Sequence, residues 1–170
     1  ALKSPFITQG PEIDKFEKAL SHYASSRYAV VFSSGTAALH SAYAVSGLKK
    51  GDEVITTPLT FAATANMLLA IGVKPVFADI NPDTGNIDPN EVKKNITKRT
   101  KAIVPVDYAG YPVNMKALKS IAKKHKLILI EDAAHALGAT YYKKKVGTAA
   151  DMAMLSFHPV KSITTGEGGA

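Results

Sequence analysis

The sequence predicts an α/β fold of three layers, a mostly parallel sheet with helices on both faces. Three observations carry this expectation. Short β-rich runs alternate with helical patterns along the whole chain. Most of those runs are continuous stretches of Val, Ile, Leu and Phe rather than alternating ones, as strands buried on both faces require. No internal repeat, low-complexity tract or linker long enough to separate two domains interrupts the series, so one domain is expected.

The elements follow in order. A helix is expected over residues 11–24, a strand over 28–32 and a helix over 36–45 that stops before Gly47. A strand over 53–57 leads to a helix over 62–71, and Gly72 stands where a helix C-terminus needs a residue tolerant of φ > 0, as Gly47 does. The strand over 75–79 ends in a dense breaker cluster, Asn81-Pro82-Asp83-Thr84-Gly85-Asn86. Helix 89–96, strand 102–106, helix 115–124 and strand 127–131 continue the alternation. Tyr141-Tyr142-Lys143-Lys144-Lys145-Val146-Gly147 reads as a small exposed hairpin, and a last strand is expected over 152–157. The chain then stops as another strand should begin, so the domain is expected to be incomplete at its C-terminus.

Composition narrows the chemistry. With 170 residues, 46% of them hydrophobic and 21% charged, the chain is long enough to bury a sizeable core. No apolar run approaches the length that crosses a bilayer, and Lys3, Glu12, Asp14 and Lys15 break up the first twenty residues, so neither a membrane span nor a signal core is expected, and the cytoplasm is the expected compartment. The absence of cysteine removes disulfides, thiol nucleophiles and thiolate metal sites. The net charge of +7 is spread over solvated faces, densest at Lys123, Lys124, Lys126 and Lys143 to Lys145, without the arginines and aromatics that read nucleic acid. No nucleic-acid partner is expected; the positive potential suits an anionic substrate, nucleotide-linked or dicarboxylate.

In open parallel sheets ligands bind beyond the carboxyl ends of the strands, so the residues after each strand carry the functional reading. Ser33-Ser34-Gly35-Thr36 opens a helix after the first expected strand; its small residues and unpaired amides suit a phosphate, and equally an ordinary Ser/Thr cap. Its glycine spacing matches neither the dinucleotide fingerprint nor the P-loop. Thr57-Pro58-Leu59-Thr60-Phe61 places an aromatic at the next junction, which taken alone reads as core and in company suits a planar ring. Glu131-Asp132-Ala133-Ala134-His135 ends the most hydrophobic strand with two carboxylates and a histidine, and one carboxylate is expected to be functional. Asp132 is preferred, since a carboxylate that keeps a pyridine nitrogen protonated makes the ring an electron sink; a capping role for it and a structural one for His135 stay open. Asp132, His135 and His158 lack metal-ligand spacing, and no metal is expected. Lys161 sits between Pro159 and the Gly166 to Gly169 cluster, not on a solvated helix face, and a lysine is suited to imine chemistry.

Together these junctions resemble the DegT/DnrJ/EryC1/StrS family of pyridoxal-phosphate sugar aminotransferases. The likeness runs through Thr8-Gln9-Gly10-Pro11, Ser34-Gly35-Thr36-Ala37-Ala38-Leu39, Gly51-Asp52-Glu53-Val54-Ile55, Thr60-Phe61-Ala62-Ala63-Thr64-Ala65-Asn66, Glu131-Asp132-Ala133-Ala134-His135-Ala136 and Ser156-Phe157-His158-Pro159-Val160-Lys161, followed by Gly166-Glu167-Gly168-Gly169. The resemblance implies the large domain of fold type I over residues 1–170, with a small C-terminal domain absent. It implies pyridoxal 5'-phosphate as cofactor, Lys161 as its covalent anchor, Asp132 at the pyridine nitrogen and His135 beside the ring hydroxyl. Gly35, Thr36 and Ser156 would hold the phosphate and Phe61 would stack on the ring.

Within the family, Val106-Asp107-Tyr108-Ala109-Gly110 and the segment around Lys161 look closest to enzymes that aminate C4 of UDP-linked 4-keto sugars, those of the pseudaminic-acid pathway among them. The implied reaction is a ping-pong transfer from an amino-acid donor, glutamate, to a nucleotide-linked keto sugar, in a homodimer. Two other readings stay open: a cofactor-binding regulatory relative without chemistry, and a nicotinamide-dependent α/β enzyme, the latter disfavoured by the missing glycine fingerprint.

Overall fold

The computed structural model describes residues 5–6 and 9–170; Lys3 and Thr8, named above, lie outside the described residues. Five helices and a sheet of five strands organise the chain. In order these are α1 (Pro11–Tyr23), α2 (Gly35–Val45), β1 (Glu53–Thr56), α3 (Ala63–Ala70), β2 (Lys74–Phe77), α4 (Pro89–Lys94) and β3 (Thr100–Val104). A 3-10 turn (Tyr108–Gly110) precedes α5 (Met115–His125) and β4 (Ile128–Asp132), then the β5–β6 hairpin (Thr140–Tyr141, Lys144–Lys145) and β7 (Met152–Met154).

The sheet runs β2-β1-β3-β4-β7, every pair parallel. Parallel neighbours need crossovers long enough to hold a helix, and the helices divide between the two faces. Alternate strand residues show the division. Val54, Ala102, Val104 and Ile130 bury against Leu39 and Tyr43 of α2 and Leu68 of α3. Ile55, Ile103 and Leu129 bury against Val92 of α4 and Leu118 and Ile121 of α5. Pro75 is tolerated because β2 is an edge strand, where a missing ladder donor faces no partner. At the amino ends of the strands the buried Glu53 carboxylate meets Arg99 at 2.7 Å and Lys74 at 3.3 Å and accepts from the Thr97 hydroxyl at 2.6 Å. Among the described residues no helix is long and apolar enough to cross a membrane.

The expected helices all form, with ends moved by no more than two residues. One strand does not. Residues 28–32 make no strand; only Phe32 pairs, and Tyr28 and Val30 are 77% and 55% exposed. The last strand is also shorter than residues 152–157, β7 ending at Met154 with only Ser156 bridged beyond it. At both places the pairing that does form is to the tail. The tail at Gly168-Gly169-Ala170 is already paired: Phe32 and Gly169 exchange two bonds of 2.8 and 3.0 Å, and Leu155 and Ala170 exchange two of 2.8 and 3.0 Å. Gly169 thus forms isolated antiparallel bridges to Phe32 and to Ser156.

Candidate active site

Past the carboxyl ends of β3, β4 and β7 lies a cavity of about 350 Å³. Gly35, Thr36, Phe61, Asp132, His135, Ser156 and Lys161, scattered over 127 positions of sequence, all line it.

One wall is the start of α2. Ser34 caps the helix, its Oγ accepting from Ala37 N at 3.1 Å, while its carbonyl accepts from Ala38 N. The amides of Gly35 and Thr36 come before any intrahelical acceptor, and among the described residues they have none elsewhere. The helix start lies directly on the end of the sheet: a Cβ built on Gly35 would stand 3.1 Å from both Met154 Sδ and Ser156 Cβ and 3.3 Å from Ser156 Oγ. Two amides and a hydroxyl thus share one small pocket with a helix dipole behind it, the donor set for a phosphate.

The floor is Asp132, 4% exposed at the end of β4. Strand alternation separates the two carboxylates that end this strand. Ile130 and Asp132 belong to the face of α2 and α3, Leu129 and Glu131 to the face of α5. Asp132 Oδ2 accepts from Thr64 Oγ1 at 2.7 Å and Oδ1 from Ala134 N at 3.2 Å. Burial raises the proton affinity of its carboxyl; these two donors and the cations His135 and Lys161 oppose the rise. The backbone bond to Ala134 is a turn of Asp132 on itself, so the capping role considered from sequence is present beside its place in the cavity.

Lys161 lies across the cavity with a half-buried side chain, and its Nζ makes no hydrogen bond or ion pair among the described residues. Burial lowers its proton affinity, and the Asp132 charge partly restores it. His135 is displaced downward by burial first and the Lys161 cation second. Phe61, which taken alone reads as core, is 77% exposed and stands at the cavity rim.

Sequence reasoning gave no role to five residues around the site. Thr64 holds Asp132, and Thr60 shares a 2.8 Å hydroxyl contact with Thr64; their spacing of four on one helix start was the available signal. His158 and Glu167 line the mouth, 3.7 Å apart. Buried Asp107, read only as part of a likeness, also lines the cavity.

The residues fit pyridoxal phosphate on this chain's own geometry: a phosphate cradle that a Cβ at Gly35 would crowd, a buried carboxylate and an unpaired amine around one cavity. Comparison with known proteins agrees. A model of the DegT/DnrJ/EryC1/StrS aminotransferase family matches residues 1–170. A Campylobacter jejuni UDP-4-amino-4,6-dideoxy-N-acetyl-beta-L-altrosamine transaminase is 49% identical over 173 residues, covering 100% of this chain and 46% of that protein. Among solved structures, Helicobacter pylori PseC, an aminotransferase involved in the biosynthesis of pseudoaminic acid, superposes with a TM-score of 0.96 at 47% identity, covering 99% of this chain and 46% of that one. The PLP-form of Spr1654 from Streptococcus pneumoniae, a sugar aminotransferase by its description, superposes at 0.95 with 35% identity, covering 99% and 47%. The chain spans less than half the length of the curated relatives it matches, 43 to 46% of the first three.

Proposed function

The chain belongs to the DegT/DnrJ/EryC1/StrS aminotransferase family, and on that footing we propose that the protein is a pyridoxal-phosphate-dependent transaminase of nucleotide sugars. It moves an amino group from an amino acid, glutamate, to C4 of a nucleotide-linked keto sugar in amino-sugar biosynthesis for the cell surface. Residues 1–170 form part of its cofactor-binding large domain, and it works as a cytoplasmic homodimer. The names of its relatives support the sugar and the carbon, and the cavity supports the cofactor.

One observation carries the reading: the free amides of Gly35 and Thr36, the buried carboxylate of Asp132 and the unpaired amine of Lys161 meet in one cavity. When bound, pyridoxal phosphate supplies an electron sink for a carbanion at the donor's α-carbon. The Gly35 and Thr36 amides and Ser156 Oγ would hold its phosphate. Asp132, oriented by Thr64, would keep the proton on the pyridine nitrogen. Phe61 at the cavity rim would cover the ring, and His135 would hold the ring hydroxyl. Lys161 Nζ would anchor the cofactor covalently and, as a free amine, would take the proton from the donor's α-carbon. Its lowered proton affinity leaves more of the amine unprotonated for that task.

Lys161→Ala should abolish turnover and the covalent link together. Borohydride reduction followed by peptide mass mapping should find the pyridoxyl group on Lys161 alone; a pyridoxyl group elsewhere, or none, would sink the assignment. A panel of UDP- and dTDP-linked keto sugars with glutamate then tests the substrate.

A further inference from the structure

Beside the site stands a buried acid pair that this mechanism does not use. Asp107 and Glu131 are 1% and 3% exposed. The ladder between β3 and β4 continues past the strands, with Asp132 N donating to Pro105 O at 2.9 Å and Asp107 N donating to Asp132 O at 3.0 Å. That register sets the Asp107 side chain against Glu131, within hydrogen-bonding reach. Asp107 Oδ1 accepts from Val113 N and Glu131 Oε2 from Gly147 N, both at 2.9 Å. Asp107 Oδ2 is the one buried side-chain polar atom, among the described residues, that no donor satisfies.

A buried oxygen without a donor is costly, and two buried carboxylates in contact cannot both stay ionised cheaply. One proton answers both problems. We propose that Glu131 and Asp107 share a single proton at neutral pH, Glu131 donating it to Asp107 Oδ2, and that this bond makes the two acids positioning residues for Asp132 and His135.

The surroundings support the donor's identity. Asp107 already accepts an amide bond and faces the cavity that holds Asp132, His135 and Lys161. Glu131 belongs to the other face, where Lys116 and Lys119 of α5 and Tyr141, Lys144 and Lys145 of the hairpin line a neighbouring cavity, none of these cations pairing with it. Burial first, and the Asp107 charge second, push Glu131 up to about 8, while burial takes Asp107 only to about 6 against the pull of Val113 N and Glu131.

What the bond positions is the loop 107–113. Asp107 closes it through Val113, and the Asn86 side chain ties Tyr108 N and Tyr111 O at 2.9 Å each. Gly110 in this loop lies so near the backbone of His135 that a Cβ there would stand 2.8 Å from His135 O. The shared proton thus braces the wall behind His135 and the peptide of Asp132. This positioning role rests on the proposed function; the shared proton does not.

Two variants test it. Glu131→Gln keeps a donor to Asp107 and cannot ionise, and Glu131→Leu has no donor. The holoenzyme at pH 7 should show an infrared carbonyl stretch of a buried protonated carboxyl that is lost in Glu131→Gln and, in the wild type, on raising the pH past about 8. Absence of that band, or its survival in Glu131→Gln, overturns the shared proton. Glu131 takes a proton on folding, so its contribution is full below its ordinary value of 4.5 and is lost as pH rises through about 8. The stability of Glu131→Gln relative to wild type should therefore climb across that interval and level off above it; a constant difference overturns the proposal even if the leucine variant does not fold. For positioning, the absorbance titration of the bound cofactor should keep its wild-type midpoint in Glu131→Gln and shift in Glu131→Leu, and three superimposed curves overturn that role. The infrared and unfolding arms run equally on cofactor-free protein, so a wild type that binds no pyridoxal phosphate counts against the functional reading alone.

Discussion

Asp132 is the residue on which the site turns, and its environment explains how a carboxylate survives there. Burial favours its protonated form, so the 2.7 Å bond from Thr64 and the 3.2 Å bond from Ala134 N have to hold the ionised one. Thr64 is itself fixed, its carbonyl accepting from the buried Tyr43 hydroxyl at 3.1 Å and its hydroxyl meeting Thr60 at 2.8 Å. A hydrogen bond to a charged group contributes about 1.5–3 kcal/mol. Thr64→Val, which keeps the shape and removes the donor, should lower stability at pH 7 by that amount in urea unfolding and weaken cofactor binding; a loss under about 0.5 kcal/mol would remove Thr64 from the site. The type and place of Asp132 were legible at the end of an apolar strand, and its donor was not, because Thr64 stands 68 positions away.

At the scale of elements, caps decide where helices begin and end. Asn114 Oδ1 accepts from Ala117 N to open α5, and Asp88 does the same for α4 through Asn90 N, so both starts could be read from residue type. The end of α5 could be read only by its length. Lys126 takes the left-handed position there, φ 56°, that glycine usually occupies. Lys126→Gly should raise stability by about 1 kcal/mol, measured by chemical denaturation, since a side chain in that region costs roughly 1–2 kcal/mol and the added freedom of the unfolded chain returns part of it. The failed strand over 28–32 belongs to this scale as well. Its composition is β-like, but a strand exists only where a neighbour offers a ladder, and among the described residues only Gly169 pairs there.

In the molecule as a whole, the tail closes the site. Gly169 lies between Phe32 and Ser156, and a Cβ on it would stand 2.5 Å from Gly35 N and from the Ser34 carbonyl group. Those are backbone atoms at the start of α2 and cannot turn away. Gly169→Ala should therefore lift the tail from the helix start, costing about 1–3 kcal/mol as overpacking. Hydrogen exchange would report it as lost protection at Phe32, Leu155 and Gly169; unchanged protection there would show that the glycine is not needed for contact.

The sequence by itself determined what is local: the alternation of elements, the buried character of the strands, the caps, and the residue types waiting at each strand end. Those follow from period, propensity and turn chemistry, which act over a few residues. The tertiary structure alone decided the strand order, the side of the sheet on which Asp132 rather than Glu131 meets the cavity, the hold of Thr64 and the pairing of the tail. Each of these is a contact between segments far apart in the chain, and its free energy depends on which faces the packed helices cover, which no local pattern records.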